Sequence, residues 1–147
     1  MEIPEYITKK EVQHVCAELK ISDWTQLTRA KVDRQDAVVI RELVGAEALE
    51  VPIEDFQAGL EVELEHGFAF PDANVTNNHP VLTGKIVLAH LKESLDYYAR
   101  LEVAELEGDI FNALLAGNAE RMIDKQRKLV EAKAALAASE QARAADS

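Results

Sequence analysis

The sequence predicts an all-α protein, and three observations lead to that prediction. Ala, Leu, Val and Glu are frequent among the 147 residues while only 5% are aromatic, a mixture that favours helices. Six Gly and four Pro are few for a protein built from many short strands. Apolar residues recur at intervals of three and four, which is the helical period. We expect about five helices: a central antiparallel helix pair with a long connecting loop, and an extended C-terminal helix.

The N-terminal helical unit is expected to contain two of these helices. Thr8 and Glu11 form a capping-box pattern at the start of a helix over residues 9–20. A second helix is expected over residues 33–44, where apolar residues again keep the helical spacing. Trp24, between the two, is expected to anchor this unit to the rest of the chain.

The central helix pair starts after this unit. The stretch "VPIEDFQAGLEVELEHG" predicts a third helix, with Gly67 placed as its left-handed stop. The long and mostly irregular connection "FAFPDANVTNNHPVLT" leads to a fourth helix that begins near Thr83. Ser94 and Asp96 either kink that helix or restart it.

The C-terminal part of the chain predicts a last helix from about Asn118, with Gly108 interrupting the helical pattern before it. Its apolar stripe is loose and its end is rich in Ala, which buries little surface by itself. We therefore expect it to project, to fray or to pack on another subunit. The expected assembly is a homo-oligomer formed through this helix. The expected domains are an N-terminal unit (1–50), a central Glu/His helix-pair domain (51–107) and a C-terminal extension (108–147).

The net charge of −11 argues against nucleic acid and anionic membrane surfaces as partners, because both attract clustered Lys and Arg. No apolar run approaches the roughly 20 residues that cross a bilayer, and the N-terminus does not resemble a secretory signal. Cys16 is the single cysteine, which excludes an intrachain disulfide and favours a reducing compartment, the cytoplasm. A virion is the other location if the protein is encoded by a phage.

Two short motifs are the candidate chemistry. Glu63 and His66 are three residues apart on the third helix, as are His90 and Glu93 on the fourth, so each pair shares a helix face. These faces also carry apolar residues, and charged groups directed at a core are costly unless they are paired or bound. Antiparallel packing would set Glu63 level with Glu93, and His66 level with His90.

A divalent cation would relieve the repulsion between the two carboxylates. Nitrogen and oxygen ligands suit zinc, iron or manganese, and paired Glu-x-x-His segments are typical of carboxylate-bridged di-iron bundles. Two further Glu ligands are missing, which favours a mononuclear site or a site completed across a dimer. Tyr97 and Glu65 are expected as surrounding groups. His79 is either a fifth ligand or a solvent-exposed loop residue, the second being favoured.

Two other interpretations of the four residues stay open. In one interpretation the four residues are salt-bridged side chains that face the solvent. In the other they form an acid–base site without a metal. The leading functional hypothesis is a small cytoplasmic metal-binding protein whose metal is structural or reactive. The alternative is a structural or interaction protein without catalysis, such as a phage-particle component or an assembly adaptor with a protein partner.

The chain also resembles an uncharacterised family of small domains in bacteria and bacteriophages. The matching text is "GLEVELEHG" followed by "NVTNNHPVLTGKIVLAHLKESLDYYARLE", within residues 52–103. Members of that family carry Pro where this chain has Leu95, which implies that the fourth helix runs straighter here. The resemblance implies no activity or ligand.

Overall fold

The computed structural model describes residues 6–145, and within that range it contains α-helices and two short 3₁₀ helices but no strand. The α-helices are α1 (Lys9–Leu19), α2 (Arg34–Val44), α3 (Ile53–Ala69), α4 (Pro80–Glu93), α5 (Tyr97–Leu115) and α6 (Ala119–Ala145). The 3₁₀ helices are Trp24–Gln26 and Ala46–Leu49. The all-α prediction is confirmed, with six α-helices in the described range because the expected fourth helix is divided into α4 and α5.

The described residues group into two compact units, one over 6–95 and one over 96–145. The first contains α1 to α4. Its core is formed by fully buried side chains from all four helices and the first 3₁₀ helix, among them Val12, Trp24, Ile40, Phe56, Leu60, Leu64, Val87 and Leu91. The expected N-terminal unit and the central helix pair therefore share one core.

Close packing between helices in this unit depends on Gly84 of α4. A Cβ added there would lie 2.5 Å from Ile40 Cγ2 and 3.2 Å from Val44 Cγ1. Ile40 and Val44 both belong to α2, so the missing side chain lets α2 approach the backbone of α4. A side chain at position 84 would therefore push α2 and α4 apart.

The helix ends follow local side-chain chemistry. Thr8 Oγ1 accepts a hydrogen bond from the backbone N–H of Glu11 at 3.2 Å, as the capping-box pattern predicts. The prediction for Gly67 is wrong, because α3 continues through it to Ala69. Gly67 instead lies against the following loop, where Asn74 Nδ2 donates to its carbonyl at 3.2 Å. The glycine therefore makes room for the loop and does not end the helix.

The second unit is a hairpin of α5 and α6. Ion pairs show that the two helices are antiparallel, because the earlier an acid or base lies on α5, the later its partner lies on α6. The pairs are Asp109–Lys125 at 2.5 Å, Glu107–Lys133 at 2.7 Å, Arg100–Glu140 at 2.5 Å and, from the N-cap of α5, Asp96–Arg143 at 3.2 Å. The apolar seam between the helices is narrow and consists of Val103, Leu106 and Ile110 on α5 with Leu129 and Ala132 on α6. Gly108 does not interrupt α5.

Candidate functional site

Glu63 is the centre of the group that the sequence singled out. Its Oε1 lies 3.1 Å from His90 Nδ1, and its Oε2 lies 3.9 Å from His66 Nδ1. The Glu63 side chain is 13% exposed, that of His90 is 29% exposed and that of His66 is 49% exposed. The structure therefore brings three of the four predicted residues together, with the most buried of them, a carboxylate, between two imidazoles.

The fourth residue, Glu93, is exposed at the end of α4. The register between α3 and α4 differs from the expected one, because Glu63 meets His90 and not the position of Glu93, one turn later. Among residues 6–145, no group of three or more His, Cys, Asp or Glu side chains stands in an arrangement that could hold a metal ion. The arrangement at Glu63 is a hydrogen-bonded carboxylate–imidazole pair with a second imidazole beside it.

The surrounding residues occupy other positions than the sequence suggested. Glu65 is exposed on α3. Tyr97 begins α5 and packs edge-on against Tyr98, with ring centroids 5.2 Å apart. The expected straight run through Leu95 is wrong, since α4 ends at Glu93 and Ser94 adopts an extended conformation. The face that leads through His90 and Glu93 therefore ends with α4.

His79 is buried, and its side chain hydrogen-bonds to the backbone at the start of α4. Its Nδ1 accepts hydrogen bonds from the N–H groups of Val81 at 3.2 Å and Leu82 at 3.4 Å, which caps the start of α4. Burial lowers the pKa of the imidazole, against a smaller raising effect of Glu11. The favoured interpretation of His79 as a solvent-exposed residue is wrong, and Pro80 at the first helical position is the sequence signal that would have located the cap.

Glu61 and Cys16 are two further polar side chains of this unit. Glu61 accepts hydrogen bonds from Lys31 Nζ and from the backbone N–H of Val32, each at 3.0 Å, so it faces away from Glu63 as its spacing predicts. Cys16 is a free, buried cysteine, and burial raises the pKa of its thiol. A protonated thiol inside the core is a poor nucleophile, which agrees with a packing role.

A further surface lies on the hairpin and was not predicted from the sequence. Five large apolar side chains of α5 and α6 are each more than half exposed: Phe111, Leu114, Leu115, Ile123 and Val130. The helical spacing of the three on α5 was visible in the sequence, but the pattern does not say which apolar face packs within the chain. Contiguous exposed apolar patches are typical of interaction sites, and these five side chains make the hairpin the candidate for one.

These features define a class of small all-α protein with no recognised catalytic arrangement among the described residues. The chain belongs to the family described as Protein of unknown function (DUF5661), which it matches over residues 12–107. The segment that carried the resemblance lies inside this match, whereas all of α6 lies outside it. No curated protein and no solved structure matches the chain. Within the described range, none of the helices has the length and apolar character required to traverse a bilayer.

Proposed function

We propose that the protein is a structural or interaction protein without catalysis, and that it binds another protein chain through the α5–α6 hairpin. The observation that carries the proposal is the exposure of Phe111, Leu114, Leu115, Ile123 and Val130. Only two residues on each helix of the hairpin are buried, and two of those four are alanines. More large apolar side chains are thus exposed on the hairpin than are buried within it.

The free energy available from burying these side chains supports this role. Fully burying a Val, Leu, Ile or Phe side chain is worth about 1.5–3 kcal/mol, so the exposed parts of five such side chains are worth on the order of 5 kcal/mol. Association costs about 4–15 kcal/mol in lost freedom of motion. A partner that covers the five side chains and contributes an equal apolar surface would therefore gain about 10 kcal/mol, which offsets much of that cost.

A site-directed photo-crosslink tests the proposal. A photoreactive amino acid replaces Leu115 in the full chain, expressed in the cells that encode it. Leu43 is the matched control because it is also an exposed leucine on a helix, yet it belongs to α2 of the other unit. We expect a discrete protein adduct from position 115 and none from position 43. Equal adduct formation at both positions, or none at either, would overturn the proposal.

Metal binding is the second candidate function, and the position of Glu63 between two imidazoles favours it. In such a site Glu63, His66 and His90 would be the ligands, with Glu93 joining them by rotation of its exposed side chain. Zinc, iron or manganese suits these donors. His66 Nδ1 already lies 3.9 Å from the Glu63 carboxylate, and the His66 side chain is half exposed.

Elemental analysis of protein purified without an affinity tag tests this second candidate. The expected result is stoichiometric metal in the wild type that is lost in His66→Ala and in His90→Ala. His14→Ala is the control, because His14 is exposed on α1 and, among residues 6–145, its one ion-pair partner is Glu18 at 3.8 Å. Protein without metal, also after incubation with zinc or ferrous iron, excludes the metal role and leaves the interaction role standing.

The proposed location is a reducing compartment such as the cytoplasm, or a virion if the protein is a particle component. The single, free and buried Cys16 supports it, since the chain does not depend on a disulfide for stability. Separating cell fractions and detecting the chain with an antibody checks this location.

A further inference from the structure

We infer that α6 occupies, within the chain, the face of α5 that the partner binds, and that the partner is a helix of the same chemistry as α6. This inference rests on the proposed function and deepens it by naming the surface and the kind of partner. The seam face of α5 is defined here by Val103, Leu106, Ile110 and Leu114, which follow one another at intervals of three and four residues. Residues with that spacing share one side of a helix.

The seam face is only partly covered by α6. Its first three residues pack with Leu129 and Ala132 of α6. Leu114 continues the same row one turn later, yet it is more than half exposed. The row of apolar side chains therefore extends beyond the part that α6 covers. An amphipathic helix that docks on this face in place of α6 would find further apolar surface there.

The apolar attachment of α6 is confined to about one turn. Leu129 and Ala132 are the buried residues among the 27 of α6, and they are three positions apart. A segment with few buried apolar contacts opens more readily than a core helix does. Helices α1 to α4 have a core of their own in the other unit, so opening of α6 does not require those four helices to unfold.

Ion pairs also attach α6, and they define the chemistry of a helix that would replace it. Four bases of α6 meet acids of α5 or of its N-cap: Arg121 at 3.0 Å and Lys125 at 2.5 Å from Asp109, Lys133 at 2.7 Å from Glu107, and Arg143 at 3.2 Å from Asp96. The Arg100–Glu140 pair has the opposite polarity. The seam face is thus bordered mainly by acids, which a basic helix satisfies.

Asp96 makes basic side chains a requirement for the partner. Its carboxylate is 2% exposed and binds Arg100 of α5 and Arg143 of α6. Removing a cationic partner from a buried carboxylate is costly, so a replacing helix must bring a Lys or Arg to this position. The partner that fits is therefore an amphipathic helix with one apolar stripe and basic side chains beside it.

α6 regulates this site because it competes with the partner. The short connection over residues 116–118 keeps α6 next to α5, so its effective concentration at the seam face is high. The apparent affinity for a competing helix is the intrinsic affinity multiplied by the fraction of chains in which α6 has left the face. A change that weakens the attachment of α6 within the chain therefore strengthens the binding of a separate helix.

The experiment measures the binding of a fluorescent synthetic peptide with the sequence of residues 119–145 to the full-length chain, by fluorescence anisotropy. The peptide should bind the Arg143→Gln chain about tenfold more tightly than the wild type, because the peptide keeps the arginine that the chain's own α6 has lost. A peptide that carries Arg143→Gln itself should lose this gain. Lys128→Gln in the chain is the matched control, because Lys128 pairs with Asp124 of its own helix at 3.1 Å. Circular dichroism of the chains should show equal helix content, so that unfolding does not explain the gain.

The outcomes separate this inference from the function on which it rests. Equal affinity of the peptide for all three chains, or binding to none of them, overturns α6 as the competitor at the seam face. A crosslink from position 115 to another protein would then leave the interaction role intact. Peptide exchange as expected, without an adduct in cells, overturns the proposed function and leaves α6 as a displaceable helix only.

Discussion

The side-chain oxygen of Asn78 occupies the space that a side chain on Gly67 would need. A Cβ added to Gly67 would lie 2.0 Å from Asn78 Oδ1 and 2.8 Å from Asn74 Nδ2. The two asparagines are joined by a hydrogen bond of 2.8 Å, and Asn74 also donates to the Gly67 carbonyl. Asn78 has a φ of 58°, in the left-handed region that asparagine tolerates. The connection between α3 and α4 is thus fixed against the last turns of α3.

We therefore predict that Gly67→Ala lowers the free energy of unfolding by about 1–3 kcal/mol, the usual cost of forcing an extra methyl into a packed site. The loss should be smaller in an Asn78→Gly background, because the obstructing side chain is gone and glycine fits the left-handed backbone. Urea denaturation of the two single variants and the double variant measures this coupling. An equal loss in both backgrounds would contradict the contact.

Most helices were predictable because their causes are local. The capping pattern of Thr8 and the apolar spacing of α1, α2 and α3 depend on neighbours along the chain. The break between α4 and α5 lies at Ser94 and Asp96, the residues that the sequence marked as kinking or restarting the helix. The sequence left open which of the two occurs, because the apolar spacing continues across the break without Gly or Pro. The contact of Asp96 with Arg143 on α6 joins residues distant in the sequence, so periodicity could not reveal it.

In the candidate site, too, the contact within one helix was predictable and the contact between helices was not. The spacing of Glu63 and His66 correctly made them neighbours within one helix. The partner across helices was displaced by one turn, from Glu93 to His90, because register depends on how the helices pack. Gly84 is one such packing contact, since it lets α2 approach α4 at Ile40, and the sequence gives no sign of which helix approaches the glycine.

His79 makes the stability of the first unit depend on pH. Its Nδ1 caps α4 only as the neutral imidazole, and burial lowers its pKa below the ordinary 6.5. The unfolded chain therefore takes up the proton first as the pH falls, so stability is fully present above about pH 6.5 and is lost toward the lower pKa of the folded state. His79→Asn keeps a capping side chain that does not titrate. Thermal melts between pH 7.5 and 5 should fall more steeply for the wild type than for this variant, and parallel slopes would contradict the cap.

Glu63 should couple more strongly to His90 than to His66. The Glu63–His90 contact is 3.1 Å and both side chains are mostly buried, whereas the Glu63–His66 contact is 3.9 Å and His66 is half exposed. We predict a coupling energy of about 1 kcal/mol for the first pair, typical of a hydrogen bond, and below about 0.5 kcal/mol for the second, typical of an exposed ion pair. Double-mutant cycles with Glu63→Gln, His90→Gln and His66→Gln, followed by chemical denaturation, measure both values. The reverse order would show that the site rearranges in solution.

Asp96 should hold the end of α6 against the start of α5. Its carboxylate is 2% exposed and accepts from Arg100 Nε at 3.0 Å, from Arg100 Nη2 at 2.9 Å and from Arg143 Nη1 at 3.2 Å. Replacing it with a neutral amide leaves two guanidinium groups facing an uncharged partner, and hydrogen bonds to charged groups are worth about 1.5–3 kcal/mol.

We predict that Asp96→Asn destabilises the hairpin by about 1–3 kcal/mol and speeds hydrogen exchange of the α6 amides over residues 136–145. Asp124→Asn is the control with the same chemical change, because Asp124 and Lys128 form an exposed pair on one helix, for which less than about 0.5 kcal/mol is expected. Exchange in α1 to α4 should stay as in the wild type, since those helices belong to the other unit. Equal exchange at the end of α6 in both variants would show that the Asp96 contact does not hold the helix.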